Sequence, residues 1–349
     1  MPRLNSPALK AATIACAVGY PLALAACALA FRYIGERWWV TAAGLYLPRI
    51  GFGLPLPFVA VAAYLWAPRR YLALQALSLG ILVFPLMGFS LGFGRWLPHP
   101  AGPTLRVMSL NVGSGLAAVP AVVEQVRRFG GDILLLQDAG ASVAHRLEEL
   151  LEGWTIRADG EFVIAARYVV REVYVPPPLV YAQGTGGAHY VHYTLETPLG
   201  VIDVFNVHPT TPRPALEEIR GIGLRYEIVS GRLFAGKAGS AVAWNAFRRD
   251  RQVAGIAARA AASPRAVIIA GDTNLPGLSW TLNEHLGGFR DAFRGAGLGF
   301  GYTFPSRRPW MRIDRILTNH HLRALESGVG AATPSDHRTV SAVLVRQAG

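Results

Sequence analysis

Three long apolar segments dominate the first 95 residues of this chain, and they constrain its architecture more than any other feature. They cover about residues 11–31, 45–67 and 71–94, and each approaches or exceeds the roughly 20 residues that span the core of a bilayer. The first and third contain no charged residue. The mean hydropathy of the whole chain, +0.29, is also high for a soluble protein. We therefore predict a membrane region over residues 1–95 with three transmembrane helices.

The first apolar segment also has features of a signal peptide. Arg3 and Lys10 precede it, and "LAAC" ends at Cys27 as a lipoprotein cleavage site does. The residues after Cys27 stay apolar, however, and two further apolar segments follow, which favours a retained anchor over a cleaved leader.

Basic residues predict the orientation of this region. Arg3 and Lys10 precede the first helix, and Arg69 and Arg70 lie between the second and third, which places both positions on the cytoplasmic side. Arginines in the loop between the first two helices argue in the opposite direction. On the balance we predict a multi-pass protein of the cell membrane whose remaining chain lies outside the cytoplasm.

The charge and the cysteine content bear on the cellular location of the protein but do not identify its substrate. Cys16 and Cys27 both lie in the first apolar segment, so the rest of the chain has no thiol that could form a disulfide. The formal net charge is +12 and comes almost wholly from arginine, because Lys10 and Lys237 are the only lysines. This charge fits a polyanionic partner or an anionic membrane surface, and a codon bias explains it equally well.

A second domain follows a stretch rich in proline and glycine, "RWLPHPAGPT". We predict a linker over 96–104 and a domain over 105–349, in which short apolar runs alternate with segments of helical spacing. The helical segments are 119–130 and 244–261. The predicted strands are 105–112, 132–137, 162–167, 189–196, 200–207, 266–271, 312–318 and 339–345. This alternation predicts a mixed α/β domain.

Polar side chains stand at nearly every predicted strand end of this domain. One such residue alone is typical of a turn or a cap. Because the strands of one sheet deliver their ends to a common rim, the whole set is expected to meet in one cleft. The residues are Asn111, Gln137, Asp138, His208, Asp272, Asn274, Asp314, Asp336 and His337.

The motifs that carry these residues resemble, in order and spacing, the endonuclease/exonuclease/phosphatase superfamily, a metal-dependent group that includes DNase I-like nucleases, sphingomyelinases and inositol polyphosphate phosphatases. The matching stretches are "SLNV" at 109–112, "LLLQD" at 134–138, "NVHP" at 206–209, "AGDTN" at 270–274, "TFPS" with "RIDRIL" within 303–317, and "SDH" at 335–337. The resemblance implies a phosphoester hydrolase with a four-layer sandwich of two mixed β-sheets flanked by helices. Membrane helices ahead of such a domain further resemble a bacterial subgroup with VanJ-type and YafD-like proteins.

The resemblance also implies a metal site for Mg²⁺ or Mn²⁺, since hard divalent cations prefer oxygen ligands. Asp138 is expected to be the main ligand, with Asn111 and Asp336 close by. Most family members have Gln-Glu where this chain has Gln137-Asp138, and several nucleases have an acidic or amide side chain where this chain has Gly113. A shorter carboxylate is expected to change the metal preference.

The catalytic roles implied by the resemblance fall on five residues. Asp272, helped by Asn274, would orient or deprotonate the attacking water. His208 and His337 would donate hydrogen bonds to the phosphoryl oxygens, and Asp314 would hold His337 in one tautomer.

Other histidines are expected to lie outside the site. His189 and His192 are three residues apart on one predicted strand, so they are expected to face opposite sides of it and not to share a metal.

The substrate prediction depends on the predicted anchor. Membrane helices hold the cleft near lipid headgroups, which favours a lipid-linked phosphate or pyrophosphate, or a phospholipid, and makes membrane lipids the expected partners. The long connection over 210–240 mixes apolar residues with arginines, as a loop that contacts lipid would. Arg307 and Arg308 are predicted to contact the substrate.

Two alternative functions stay open. One is an extracytoplasmic nuclease, which the charge allows but does not favour, and the other is a non-catalytic metal-binding interaction module. The oligomeric state is left open.

Overall fold

The computed structural model describes residues 6–98, 102–113, 115–182, 184–220 and 237–347. The predicted linker over 96–104 and the connection over 210–240 therefore lie partly outside the described residues. Arg3 lies wholly outside them.

The N-terminal region is a group of packed helices. They are α1 (Pro7–Tyr33), α2 (Trp39–Leu45), α3 (Pro55–Trp66) and α4 (Arg70–Ile81), which a π-helical turn extends over Leu82–Leu86. Two helical stretches among the described residues are long and apolar enough to cross a membrane, namely Pro7–Tyr33 with 27 residues and Arg49–Trp66 with 18.

The third apolar segment forms a shorter helix than predicted. Continuous helix runs only over Arg70–Leu86, where we expected it to reach residue 94. Pro85 lies in its final, π-helical turn, and proline has no N–H to continue the hydrogen-bonding pattern. The structure therefore supports two candidate membrane helices and not clearly three.

The C-terminal domain contains two six-stranded mixed sheets and a short hairpin. Its strands are β1 (Thr104–Asn111), β2 (Ile133–Gln137), β3 (Thr155–Asp159), β4 (Phe162–Ala166), β5 (Val170–Tyr174), β6 (Leu179–Tyr181), β7 (Gly184–Gly186), β8 (Tyr190–Thr197), β9 (Gly200–Val207), β10 (Ala266–Asp272), β11 (Arg290–Asp291), β12 (Asp314–Thr318), β13 (Leu322–Ala332) and β14 (Arg338–Arg346). Its helices are α5 (Val119–Phe129), α6 (Ala141–Leu150), α7 (Arg213–Arg220), α8 (Lys237–Ala261), α9 (Trp280–Leu286) and α10 (Ala292–Ala296).

The two sheets pack face to face with helices outside, as the family resemblance implied. The first sheet has the order β13-β14-β1-β2-β4-β3 and the second β11-β12-β10-β9-β8-β5. Alternate side chains of β1 explain the layers: Leu105 and Val107 pack between the sheets, while Met108 and Leu110 pack beneath α5 and α6. Strands covered on both faces need apolar side chains on both faces, which accounts for the continuous run in β2.

Parallel pairing brings the polar strand ends together. β1 runs parallel to β2, with Asn111 opposite Gln137, and β9 runs parallel to β10. The ends of these four strands, one pair from each sheet, therefore lie at the same rim of the sandwich.

The N-terminal helices pack directly against the C-terminal domain. Leu24, Phe31 and Leu45 share an apolar cluster with Met311 and Ile313. Ser90 and Gly299 also exchange two backbone hydrogen bonds, of 2.8 and 2.9 Å. The helical region is thus continuous with the domain that carries the polar rim.

Candidate active site

The polar rim opens into one cleft of about 1220 Å³. Seven of the predicted site residues line it: Asn111, Asp138, His208, Asp272, Asn274, Asp336 and His337. Asp314 lies behind His337 and does not face the opening. Arg307 and Arg308 are exposed and lie outside the cleft lining, whereas Arg213 and Arg248 line it.

His337 is held between two buried carboxylates. Its Nδ1 lies 3.1 and 3.0 Å from the two oxygens of Asp314, and its Nε2 lies 3.7 Å from Asp272 Oδ2. Burial alone would lower the pKa of His337, but Asp314 and Asp272 outweigh burial and raise that pKa to about 10. The two carboxylates therefore favour the protonated ring, and the Nε2 atom lies on the side of the ring nearer Asp272.

His208 has a similar arrangement on the other side of Asp272. Its Nε2 lies 3.7 Å from Asp272 Oδ2, and its Nδ1 lies 3.4 Å from Glu161 Oε2. Burial would lower the pKa of His208, but the hydrogen bond to Glu161 and the nearby carboxylates raise it. Two histidines, each backed by a carboxylate, thus flank the same oxygen of Asp272.

Asp272 is oriented by backbone and amide donors. Asn274 N donates to its Oδ1 at 2.8 Å, and Asn111 Nδ2 donates to its Oδ2 at 3.2 Å. Asn274 itself has a left-handed backbone, with φ of 51°, and its Nδ2 donates to the carbonyl oxygen of Pro209 at 2.9 Å. Non-glycine residues adopt this conformation mainly where the surrounding structure imposes it, often at functional sites.

A metal could be held at the edge of the cleft. Carboxylate oxygens of Asp138 and Glu161 and a ring nitrogen of His208 lie within 4.8 Å of one another. Two carboxylates suit a hard divalent cation, and an imidazole nitrogen suits transition metals such as Mn²⁺. Asp138 also has a left-handed backbone, with φ of 50°. The donor set therefore fits the predicted divalent ion.

The other two predicted metal ligands have protein partners. Asn111 Oδ1 accepts a hydrogen bond from Gly113 N at 2.9 Å, and Asp336 Oδ2 lies 3.0 Å from Arg213 Nη2. Gly113 has a φ of 60°, a left-handed conformation that glycine adopts freely.

Glu161 and His189 were not predicted as site residues, yet both line the cleft. His189 Nδ1 lies 2.9 Å from Glu161 Oε1, so one carboxylate serves His189 and His208 together. Burial would raise the pKa of Glu161, but hydrogen bonds from His189 and His208 lower it to about 2. Glu161 directly precedes β4, so the strand-end pattern used for the other residues would have found it. His189 precedes β8 instead of lying within it, with φ of 55°, so alternation along the strand does not apply.

A two-sheet sandwich with this arrangement of histidines and carboxylates at its rim suits the metal-dependent hydrolysis of phosphoesters. The sequence model of the Endonuclease/Exonuclease/phosphatase family matches residues 108–337, and the chain belongs to that family. No curated protein matched the sequence.

The chain is also similar to solved structures, one of which has a TM-score above 0.5 and agrees on the fold. An endonuclease/exonuclease/phosphatase from Bacteroides vulgatus is 15% identical with a TM-score of 0.51, covering 70% of this chain and 100% of that one. The mannosyl-6-phosphatase of Bacteroides thetaiotaomicron is 17% identical with a TM-score of 0.48, covering 69% and 99%. D. rerio TDP2 complexed with a single strand DNA product is 15% identical with a TM-score of 0.47, covering 69% and 99%.

Proposed function

We propose that this protein is a membrane-anchored, divalent-metal-dependent hydrolase that acts outside the cytoplasm on a lipid-linked phosphate or pyrophosphate, or on a phospholipid. One observation favours a lipid over the other candidate substrates. Phe304, Trp310 and Met311 line the cleft, and the same three side chains belong to the apolar cluster built by the N-terminal helices. One wall of the cleft therefore packs against the helices that would enter the membrane, as expected for a site that receives a lipid substrate.

The exposed surface of the N-terminal helices supports the anchor. Leu22, Leu29, Leu54, Phe58 and Tyr64 are each more than half exposed. Burying that much apolar surface in lipid is favourable, whereas soluble proteins seldom leave large contiguous apolar patches exposed. The cytoplasmic side is assigned from the basic residues alone.

The chain's own residues have clear roles in this reaction. Asp272 is the base that orients and deprotonates the attacking water, because its carboxylate is buried and fixed by donors on both oxygens. His337 and His208 donate from Nε2 to the phosphoryl oxygens as charge develops on them. Asp314 and Glu161 hold these rings through Nδ1 and balance their charge.

Asp138 and Glu161 would hold the divalent ion through their carboxylate oxygens. When bound, the ion supplies Lewis-acid polarisation of the phosphoryl group. Arg213 pairs with Asp336 at the cleft rim and adds a positive charge to the cleft lining.

The test is a substrate panel assayed with the full-length protein in lipid nanodiscs with Mg²⁺ or Mn²⁺. The panel contains a polyprenyl pyrophosphate, a sphingomyelin-type phospholipid, plasmid DNA and bis(p-nitrophenyl) phosphate. We expect the highest kcat/KM with one of the two lipids. A kcat/KM for plasmid DNA above that for both lipids would reject the proposal in favour of the nuclease, and no turnover of any member would favour the binding module. His337→Ala protein is the control for contaminating activity.

A further inference from the structure

Tyr46 joins the N-terminal helical region to the active site. It directly follows α2 as its C-cap residue, it is 7% exposed, and it lines the cleft beside the predicted catalytic residues. Its hydroxyl donates a hydrogen bond of 2.8 Å to the backbone carbonyl oxygen of Asn274, which lies 228 positions away in the sequence. A residue outside the family domain thus contacts the loop that carries two catalytic groups.

The contact falls at a strained point of that loop. Asn274 has a φ of 51°, a left-handed conformation that residues other than glycine adopt mainly where the surrounding structure holds them. The N–H of Asn274 donates to Asp272 Oδ1 at 2.8 Å, so the orientation of this residue sets the orientation of the proposed base. Fixing the carbonyl of Asn274 therefore helps to fix the carboxylate of Asp272.

The far end of the same segment is held by a second residue of the N-terminal region. Glu36 is 7% exposed, and its carboxylate accepts hydrogen bonds from Ser279 Oγ, Trp280 N at 2.8 Å and Thr281 N at 3.3 Å. A carboxylate at this position satisfies free N–H groups in the first turn of α9. The approach is close, because a Cβ added to Gly35 would lie 2.7 Å from Trp280 Cβ. Both ends of residues 274–281 are thus attached to the N-terminal region.

We propose that Tyr46 is a positioning residue of the active site, and that the N-terminal region is a structural part of the catalytic centre as well as an anchor. This inference rests on phosphoester hydrolysis at the proposed site, but not on a lipid substrate or on a membrane location. It deepens the proposed function, because catalysis then depends on how the N-terminal helices pack against the cleft.

The experiment compares two tyrosine-to-phenylalanine variants of the full-length protein in detergent. Tyr46→Phe removes only the hydroxyl that contacts Asn274. The matched control is Tyr302→Phe, since the Tyr302 hydroxyl donates at 2.9 Å to the Met87 carbonyl oxygen across the same interface and lies outside the cleft lining. With bis(p-nitrophenyl) phosphate, a soluble probe, we expect kcat of Tyr46→Phe to fall about 2–10-fold, the value of one hydrogen bond, with KM unchanged. Tyr302→Phe should retain the wild-type kcat.

A double-mutant cycle separates positioning from general stabilisation. Tyr46→Phe should add little to the loss caused by Asp272→Ala, because the hydroxyl acts through the orientation of the Asp272 carboxylate. Additive losses, or equal losses of kcat in Tyr46→Phe and Tyr302→Phe, would overturn the proposal.

A measurement independent of turnover completes the test. Hydrogen–deuterium exchange over residues 272–276 should be about 2–10-fold faster in Tyr46→Phe than in wild type, and unchanged in Tyr302→Phe. Unchanged exchange in Tyr46→Phe would reject the positioning role even if the wild-type protein hydrolysed no substrate. Hydrolysis of the soluble probe without hydrolysis of lipids would reject the proposed lipid substrate. The kinetics and the exchange rates of Tyr46→Phe would still decide whether Tyr46 is a positioning residue.

Discussion

His337 carries the sharpest prediction at the scale of single residues. It is buried, oriented by Asp314 and directed toward the cleft. If it stabilises the phosphoryl oxygens in the transition state, His337→Ala should lose about 10²–10⁴-fold in kcat. Asp314→Asn should show a smaller loss, and the double variant should be little worse than His337→Ala, because the two residues act as a unit.

Steady-state kinetics with the soluble diester test this prediction, and circular dichroism confirms folding. His285→Ala is the matched control, because His285 pairs with Asp250 at 2.8 Å outside the cleft lining. Near-normal kcat in a folded His337→Ala protein would show that its role is misassigned.

Metal dependence is a second residue-scale prediction. We expect excess EDTA to abolish hydrolysis and added Mg²⁺ or Mn²⁺ to restore it. Asp138→Asn removes one charged ligand, so the metal concentration for half-maximal activity should rise at least about tenfold. Asp250→Asn, remote from the cleft lining, should leave that concentration unchanged. Full activity in excess EDTA would contradict the metal site.

At the scale of elements, the sequence predicted the interior strands of both sheets and missed the edge strands. The eight predicted strands correspond to β1, β2, β4, β8, β9, β10, β12 and β14, all of which are interior strands. The edge strands β3, β5, β11 and β13 were missed, as was the β6–β7 hairpin. Interior strands are covered by neighbours and read as apolar runs, whereas an edge strand such as β3 is largely exposed and has no such run.

Asp291 gives an element-scale prediction of stability, because it joins β11, α10 and the start of β12. Its carboxylate lies 2.9 Å from Arg312 and caps α10 by accepting from Arg294 N at 3.1 Å. Leaving a buried charge without its partner typically costs about 3–5 kcal/mol, so Asp291→Asn should lower the free energy of unfolding by a similar amount at pH 7.

The pH dependence of this effect has a definite sign. Burial would raise the pKa of Asp291, but Arg312 and Arg315 outweigh it and lower that pKa to about 2. A depressed carboxyl pKa stabilises the folded state fully above its ordinary value near 4, and this contribution is lost as the pH falls through 2. The stability difference between wild type and Asp291→Asn in urea denaturation should therefore shrink below pH 4. Glu124→Gln, which breaks an exposed pair with Arg128, should change stability by less than about 1 kcal/mol at any pH.

At the scale of the whole molecule, fusion proteins test the predicted membrane topology. Arg69, Arg70, Arg3 and Lys10 predict that the start of the chain and the loop before α4 lie in the cytoplasm. An alkaline-phosphatase fusion after residue 104 should then be active, and a GFP fusion at the same point should not fluoresce. The reverse pair of results would place the catalytic domain in the cytoplasm.

The family, the interior strands and most of the polar rim could be predicted from the sequence, because strand-end residues and continuous apolar runs are local properties of the chain. Three contacts became visible only in the folded structure: Glu161 with both His189 and His208, Arg213 with Asp336, and Tyr46 with Asn274. These contacts join residues far apart in the chain. They arise from how the two sheets and the N-terminal helices pack together, and burial patterns along the sequence do not record which distant partner a polar group meets.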